Sequence, residues 1–193
     1  MRELAVLEFV TLNGVMQAPG SADEDTSGGF EQGGWATPYW EGVMGHVLQT
    51  AMADPYDIVL GRKTYDLFAG HWPTVTGSPA AERLNSSVKH VLTSSPLTTH
   101  WEHAHALTGD LVEEVLRLKS QDGPLLQVHG SGRLVQALHA HGLIDEYRLW
   151  TFPVVVGEGK RLFGDTHGAQ ALQLTNVVGL DNGVVSQTYR RTA

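Results

Sequence analysis

The chain has 193 residues, 41% of them hydrophobic and 18% charged, with a formal net charge of −8 and no cysteine. That length suits one domain with a full core, and the acidic balance argues against nucleic-acid binding, which draws on basic surface. Without cysteine, disulfides, zinc–thiolate centres and thiol catalysis are excluded. No apolar run reaches the roughly 18 residues of a membrane span. The N-terminus carries no signal-peptide pattern, so a cytoplasmic protein with no membrane partner is expected.

Leu4 to Val10 is apolar except for Glu8 and reads as a buried strand. A Gly-rich, acidic stretch follows from about Thr11 to Trp35. Met16, Phe30 and Trp35 give it apolar anchors that a mere linker would not need, so it is read as a functional lid. Tyr39 to Ala53 is helical, with Trp40, Val43, Met44, Val47, Leu48 and Ala51 on one stripe. Tyr56 to Leu60 is a short strand, and Gly61-Arg62-Lys63-Thr64 turns it into a short helix through Leu67-Phe68. Lys89–Leu92 is a strand, Gly109–Lys119 an amphipathic helix and Leu125–His129 a further strand. Gly130-Ser131-Gly132 then opens a helix carrying Leu134, Val135 and Leu138.

Glu146 to Val156 reads as a long strand whose Pro153 sets its far end at a sheet edge or bulge. Leu172–Leu180 and Val184–Arg190 flank Asp181-Asn182-Gly183, where Asn-Gly predicts a hairpin with positive φ at both central residues. The alternation predicts an α/β domain over residues 1–193, largely parallel and closed by an antiparallel hairpin.

Two strand–glycine–helix junctions carry the chemistry. At Gly61-Arg62-Lys63-Thr64 the amides of a helix N-terminus favour an anion, and basic residues there fit a bound phosphate better than the bare dipole. Gly130-Ser131-Gly132 again lets a pyrophosphate approach the backbone. Val135 stands where a Rossmann fingerprint has its third glycine, and no Gly-Lys-Ser/Thr follows, so neither that motif nor a P-loop is complete. Each junction also reads as a plain turn, but two in one domain reinforce each other.

Asp57 to Tyr65, Val128 to Gly132 and Gly142 to Leu149, taken in order, resemble the dihydrofolate-reductase superfamily. Phe152 to Phe163 resembles the branch holding the reductase domain of the bacterial riboflavin-biosynthesis protein. The resemblance runs over essentially the whole chain. It implies an eight-stranded, mostly parallel sheet with flanking helices and NADPH across the C-terminal strand ends. By the same resemblance Gly61, Arg62, Lys63 and Thr64 meet the central phosphates, and Thr93 and Ser94 the adenosine 2′-phosphate. Gly130, Ser131, Gly132 and Arg133 hold the pyrophosphate from the other side. His129, which ends the strand beside them, either lines the cofactor site or, as preferred, is a core-edge histidine satisfied by backbone. Leu12, Asn13, Gly14 and Met16 begin a loop over the nicotinamide, which shields the reaction from water.

Reduction also needs a proton. Glu41, near the start of the first helix, matches the family's carboxylate in position, although its neighbours do not match the folate-binding pattern; a solvated first-turn glutamate is the alternative. No metal is expected: His103-x-His105 reads as sharing one strand face but specifies no ligand geometry, and His139-x-His141 points apart on a helix. Trp35, Tyr39 and Trp40 either stack on a heterocyclic substrate or anchor the lid, with Trp40 assigned to the anchor. Gly157 to Arg161 forms a charged loop that touches substrate or a partner subunit, or is simply solvated.

The reading is an NADPH-dependent reductase acting on a small, heterocyclic substrate as a homodimer. The alternatives are a true pyrimidine-ribityl or folate reductase, and a non-catalytic nucleotide-binding protein that keeps the cleft.

Overall fold

Eight strands form in chain order: β1 Leu4–Thr11, β2 Tyr56–Gly61, β3 Lys89–Leu92, β4 Ala104–Leu107, β5 Leu125–His129, β6 Glu146–Phe152, β7 Leu172–Gly179 and β8 Val185–Arg191. The helices are α1 Trp40–Thr50, α2 Arg62–His71, α3 Pro79–Ser86, α4 Leu111–Ser120 and α5 Gly132–Ala140. The computed structural model describes residues 1–164 and 169–192, and all eight strands join one sheet of order β4-β3-β2-β5-β1-β6-β8-β7. Pairing from β4 through β6 is parallel, and β8 lies antiparallel between β6 and β7.

Successive strand residues face opposite sides, so each inner strand feeds two cores. Leu7, Ile58, Leu60, Val91, Trp150 and Phe152 pack under α1, α2 and α3. Leu4, Val6, Val10, Val59, Val128 and Leu149 pack under α4 and α5. β1, apolar apart from Glu8 up to Val10, and Ile58-Val59-Leu60 of β2 read as apolar runs because both of their faces are covered.

The structure corrects several details. The sequence reading omits α3, which Ser78 caps by accepting from the Ala81 N–H and which Pro79 opens at its first position. It also omits β4, a short, largely exposed edge strand. β6 ends at Phe152, one residue before Pro153, and it lies inside the sheet rather than at an edge. In the closing hairpin only Gly183 of the Asn-Gly pair has positive φ, at +86°. Gly183 N–H donates to Leu180 C=O and Leu180 N–H to Val184 C=O, at 2.9 and 2.8 Å. This is a three-residue loop with glycine in the left-handed position, not the two-residue turn that needs positive φ twice. His103 sits at φ +61° just before β4, so it does not share a strand face with His105.

An ion pair between buried Lys119 and partly exposed Asp145 sits at the start of β1. Lys119, at the end of α4, donates to Asp145 Oδ2 at 2.5 Å and to Leu143 C=O at 3.0 Å. The same Asp145 oxygen accepts from the Leu4 N–H at 2.8 Å. Asp145→Ala strands a buried ammonium and a strand N–H together, so we expect a loss of about 3 kcal/mol in urea unfolding. Lys119→Leu leaves Asp145 partly exposed to water and still accepting from the Leu4 N–H, so it should cost clearly less; equal losses would contradict this account.

Candidate active site

β2 and β5 are parallel neighbours, and each passes through a glycine-bearing turn into a helix, α2 and α5. Ser131, the residue before α5, adopts left-handed φ 60°, ψ 42°. From there it reaches across to the other junction twice. Its Oγ accepts from the Gly61 N–H at 3.0 Å, and its own N–H donates to Thr64 Oγ1 at 3.0 Å. Gly130 has φ +55°, and a Cβ there would meet Thr64 Cγ2 at 3.2 Å. Neither α2 nor α5 has a side-chain cap. Two positive helix ends with open first-turn amides therefore converge at the C-terminal edge of the sheet.

The side chains predicted for this place fall into two groups. Gly61, Thr64, Gly130, Ser131 and Gly132 meet at the paired junctions, and Lys63 stands exposed beside them. Arg62 turns outward: its Nε donates to both Asp66 oxygens, and its terminal nitrogens reach Ser95 Oγ, Pro96 C=O and Thr98 Oγ1. Its guanidinium thus lies on the loop after β3, alongside Thr93, whose hydroxyl bonds Ser95, and exposed Ser94. Arg133 is exposed on the first turn of α5. His129 is buried, its Nε2 2.7 Å from Gln127 Oε1 and its ring stacked on Tyr56. Burial pushes its pKa down to about 3, so the ring is neutral, satisfied by a side chain rather than by backbone.

The lid begins at exposed Leu12 and the Asn13–Gly14 turn, where Asn13 Nδ2 donates to Val156 C=O at 2.6 Å. Met16 crosses the first turn of α5, so close that a Cβ on Gly132 would come within 2.8 Å of its sulfur. Buried Gln17 then organises the loop: it donates to Asp25 and Ser27 carbonyls and accepts from Lys160 N–H, while Trp35 Nε1 donates to its carbonyl. Phe30 and Trp35 are buried, as anchors should be. Asp25 pairs with both Lys63, at 2.7 Å, and Lys160, and Ser27 Oγ contacts both amines. Burial alone would raise the Asp25 pKa, but the two lysines and Ser27 hold it well below the usual carboxylate range. The charged 157–161 loop therefore docks on the lid, with Arg161 also bonding Asn13 C=O. Sequence reasoning missed Gln17 and Asp25, whose partners lie far along the chain.

On the α1 side of the sheet, Phe9, Trp35, Tyr39 and Trp40 gather edge-on around Phe152. Trp35 and Trp40 are thus anchors, while Phe9, on a central strand, stays partly exposed. Glu41 lies exposed on the first turn of α1, beside this cluster in sequence. Among the described residues no three His, Asp or Glu side chains are placed to hold a metal, and no helix is long and apolar enough to cross a membrane.

The sheet order, the closing hairpin and the paired glycine junctions define an α/β domain of the dihydrofolate-reductase type. The chain belongs to the RibD C-terminal domain family, whose profile matches residues 3–186. It is 31% identical over 137 residues to the uncharacterized protein YyaP of Bacillus subtilis strain 168, covering 68% of this chain and 72% of that one. A protein from Shewanella sp. PV-4 named for riboflavin biosynthesis superposes with a TM-score of 0.71 at 18% identity, over 99% of both chains. A dihydrofolate reductase from Enterococcus faecalis, complexed with NADP(H) and RAB-propyl, superposes at 0.64 with 16% identity, over 99% of this chain and 97% of that one.

Two stability measurements check this geometry. Ser131→Ala loses the acceptor for Gly61 N–H and keeps the left-handed backbone, so it should destabilise by about 1–2 kcal/mol. Ser131→Gly loses the same bond but relieves the positive φ, so it should stay within about 0.5 kcal/mol of wild type. Equal effects would mean the backbone is unstrained. Separately, the folded pKa of His129 lies below its unfolded value, so its contribution is complete above about pH 6.5 and fades as pH falls toward 3. The difference between wild-type and His129→Gln unfolding curves should slope by up to ~1.4 kcal/mol per pH unit in that window.

Proposed function

We propose that this chain is an NADPH-dependent reductase that passes a hydride to a small heterocyclic substrate. The observation that carries the reading is the pair of uncapped helix ends stitched together by Ser131 at adjacent strand ends. A dinucleotide presents several anionic groups in a row, and this arrangement answers them with amides, dipoles and a nearby exposed lysine. Gly130 and Gly132 let the two junctions and Met16 pack this closely, since a Cβ at either would crowd Thr64 or Met16.

On this reading Gly61, Lys63 and Thr64 face the pyrophosphate from α2, and Gly130, Ser131, Gly132 and Arg133 face it from α5. Arg62, held on the loop after β3 with Thr93 and Ser94, serves the adenosine 2′-phosphate end. His129 supports the turn from beneath as a neutral ring. Leu12, Asn13, Gly14 and Met16 lead the lid over the reacting end, excluding water. When bound, NADPH supplies the hydride. Partly exposed Phe9, framed by Trp40 and Phe152, offers a flat apolar floor for a planar substrate. Glu41, exposed at the mouth of α1, supplies the proton directly or through a water it orients. The protein acts in the cytoplasm, as a homodimer of single-domain protomers.

Titration with NADPH and NADH, followed by tryptophan quenching, tests the cofactor. We expect saturable binding that prefers NADPH, and Lys63→Gln should weaken it roughly tenfold. Failure to bind either dinucleotide would sink the reading. Glu41→Gln should abolish turnover while keeping NADPH affinity; unchanged turnover removes Glu41 from the chemistry. Light scattering at two concentrations decides the dimer.

A further inference from the structure

Glu8 breaks the apolar run of β1, yet it is only 4% exposed, and its Oε1 is enclosed without any hydrogen-bond partner. Its position is specific. The last rung between β1 and β5 is Leu7 with His129. Beyond it β5 leaves the sheet through Gly130-Ser131-Gly132, while β1 runs on to Thr11 paired with β6 alone. Glu8 is therefore the first residue of β1 beside the gap that this divergence opens. Strand alternation places it with Val6 and Val10, on the side where α5 packs and Met16 crosses. The connections leaving β1 and β5 go to opposite faces of the sheet, through α1 and α5. Such a divergence is the crevice in which open α/β sheets bind ligands.

The charge that acts on Glu8 is the Glu24 carboxylate on the lid, and the two lysines that meet the lid, Lys63 and Lys160, both pair with Asp25. Glu24 is in turn set among Asp25, His71 and the Gly20 N–H. Burial first, and then Glu24, push the Glu8 pKa well above its ordinary value. An enclosed carboxyl whose Oε1 has no partner is favoured in its neutral form. A neutral carboxyl offers one O–H donor and one carbonyl acceptor side by side. The group that complements both at once is a planar amide with its C=O and N–H on one edge. An apolar residue of the same shape would be no less stable there, so the carboxyl is kept for something other than the core.

We propose that Glu8 recognises the carboxamide of the cofactor's nicotinamide, donating to its carbonyl and accepting from its NH2. This rests on the NADPH reading above.

The experiment compares NADPH, its 3-acetylpyridine analogue, in which methyl replaces the amide NH2, and 2′-phospho-ADP-ribose, which lacks the ring. Affinities are measured by tryptophan quenching on wild type, Glu8→Leu and Glu8→Gln, with melting curves to show that each is folded. Wild type should prefer NADPH over the analogue by roughly five- to tenfold, and Glu8→Leu should bind the two within about twofold. Glu8→Gln, whose amide also donates and accepts, should keep the preference, and all three proteins should bind 2′-phospho-ADP-ribose alike. The same preference in wild type and Glu8→Leu, or a parallel loss of 2′-phospho-ADP-ribose binding, overturns the role of Glu8 while the cofactor reading stands. A wild type that binds neither NADPH nor 2′-phospho-ADP-ribose removes both.

Discussion

A single serine in a left-handed conformation fixes the relation between the two halves of the candidate site. Ser131 takes one hydrogen bond from Gly61 and gives one to Thr64, so the first turns of α2 and α5 cannot drift independently. Both bonds depend on the same backbone torsions, because φ 60° is what aims the N–H and the hydroxyl together at the neighbouring junction. Everything proposed for the phosphate groups inherits that geometry. The glycines on either side then make sense as neighbours of a crowded point rather than as generic loop residues: Gly130 abuts Thr64 and Gly132 abuts Met16.

The strands were the most legible part of the sequence. Strands covered on both faces are rich in apolar residues, as β1 and Ile58-Val59-Leu60 show, and β1, β2, β3 and β5 were read within a residue of their ends. Helices with a clear stripe were visible too, with looser ends: Tyr39–Ala53 was read for α1 Trp40–Thr50, and Gly109–Lys119 for α4 Leu111–Ser120. What escaped was short or poorly patterned: α3, eight residues long, and β4, four residues at an exposed edge. The hairpin was legible as a hairpin, but its turn type was not. An Asn-Gly pair fits both a two-residue loop and the second half of a three-residue one, and the Leu180–Val184 closing bond is what distinguishes them.

For the site, glycine punctuation located both junctions, but not the bonds that join them across 67 and 70 residues of chain. The same holds for charged side chains. Arg62 looked like a phosphate ligand at a helix end, and its partners turned out to lie after β3. Lys160 looked solvated, yet it meets a carboxylate from the lid. Glu8 looked like an interruption in a strand. Its burial follows from where β5 turns away, and that is a property of topology that no local pattern carries.

The strand order has a further consequence for how the chain is made. β1 is synthesised well before its two partners, β5 and β6, which begin at Leu125 and Glu146. On the ribosome, an eight-residue apolar segment therefore waits unpaired while most of the protein is translated. Its neighbours in sequence cannot shield it, because α1 covers the sheet only once the sheet exists. At roughly 5–20 residues per second, that interval lasts many seconds. A charged residue in the middle of β1 would keep the nascent strand less prone to self-association during the wait, and Glu8, ionised before it is buried, is such a residue.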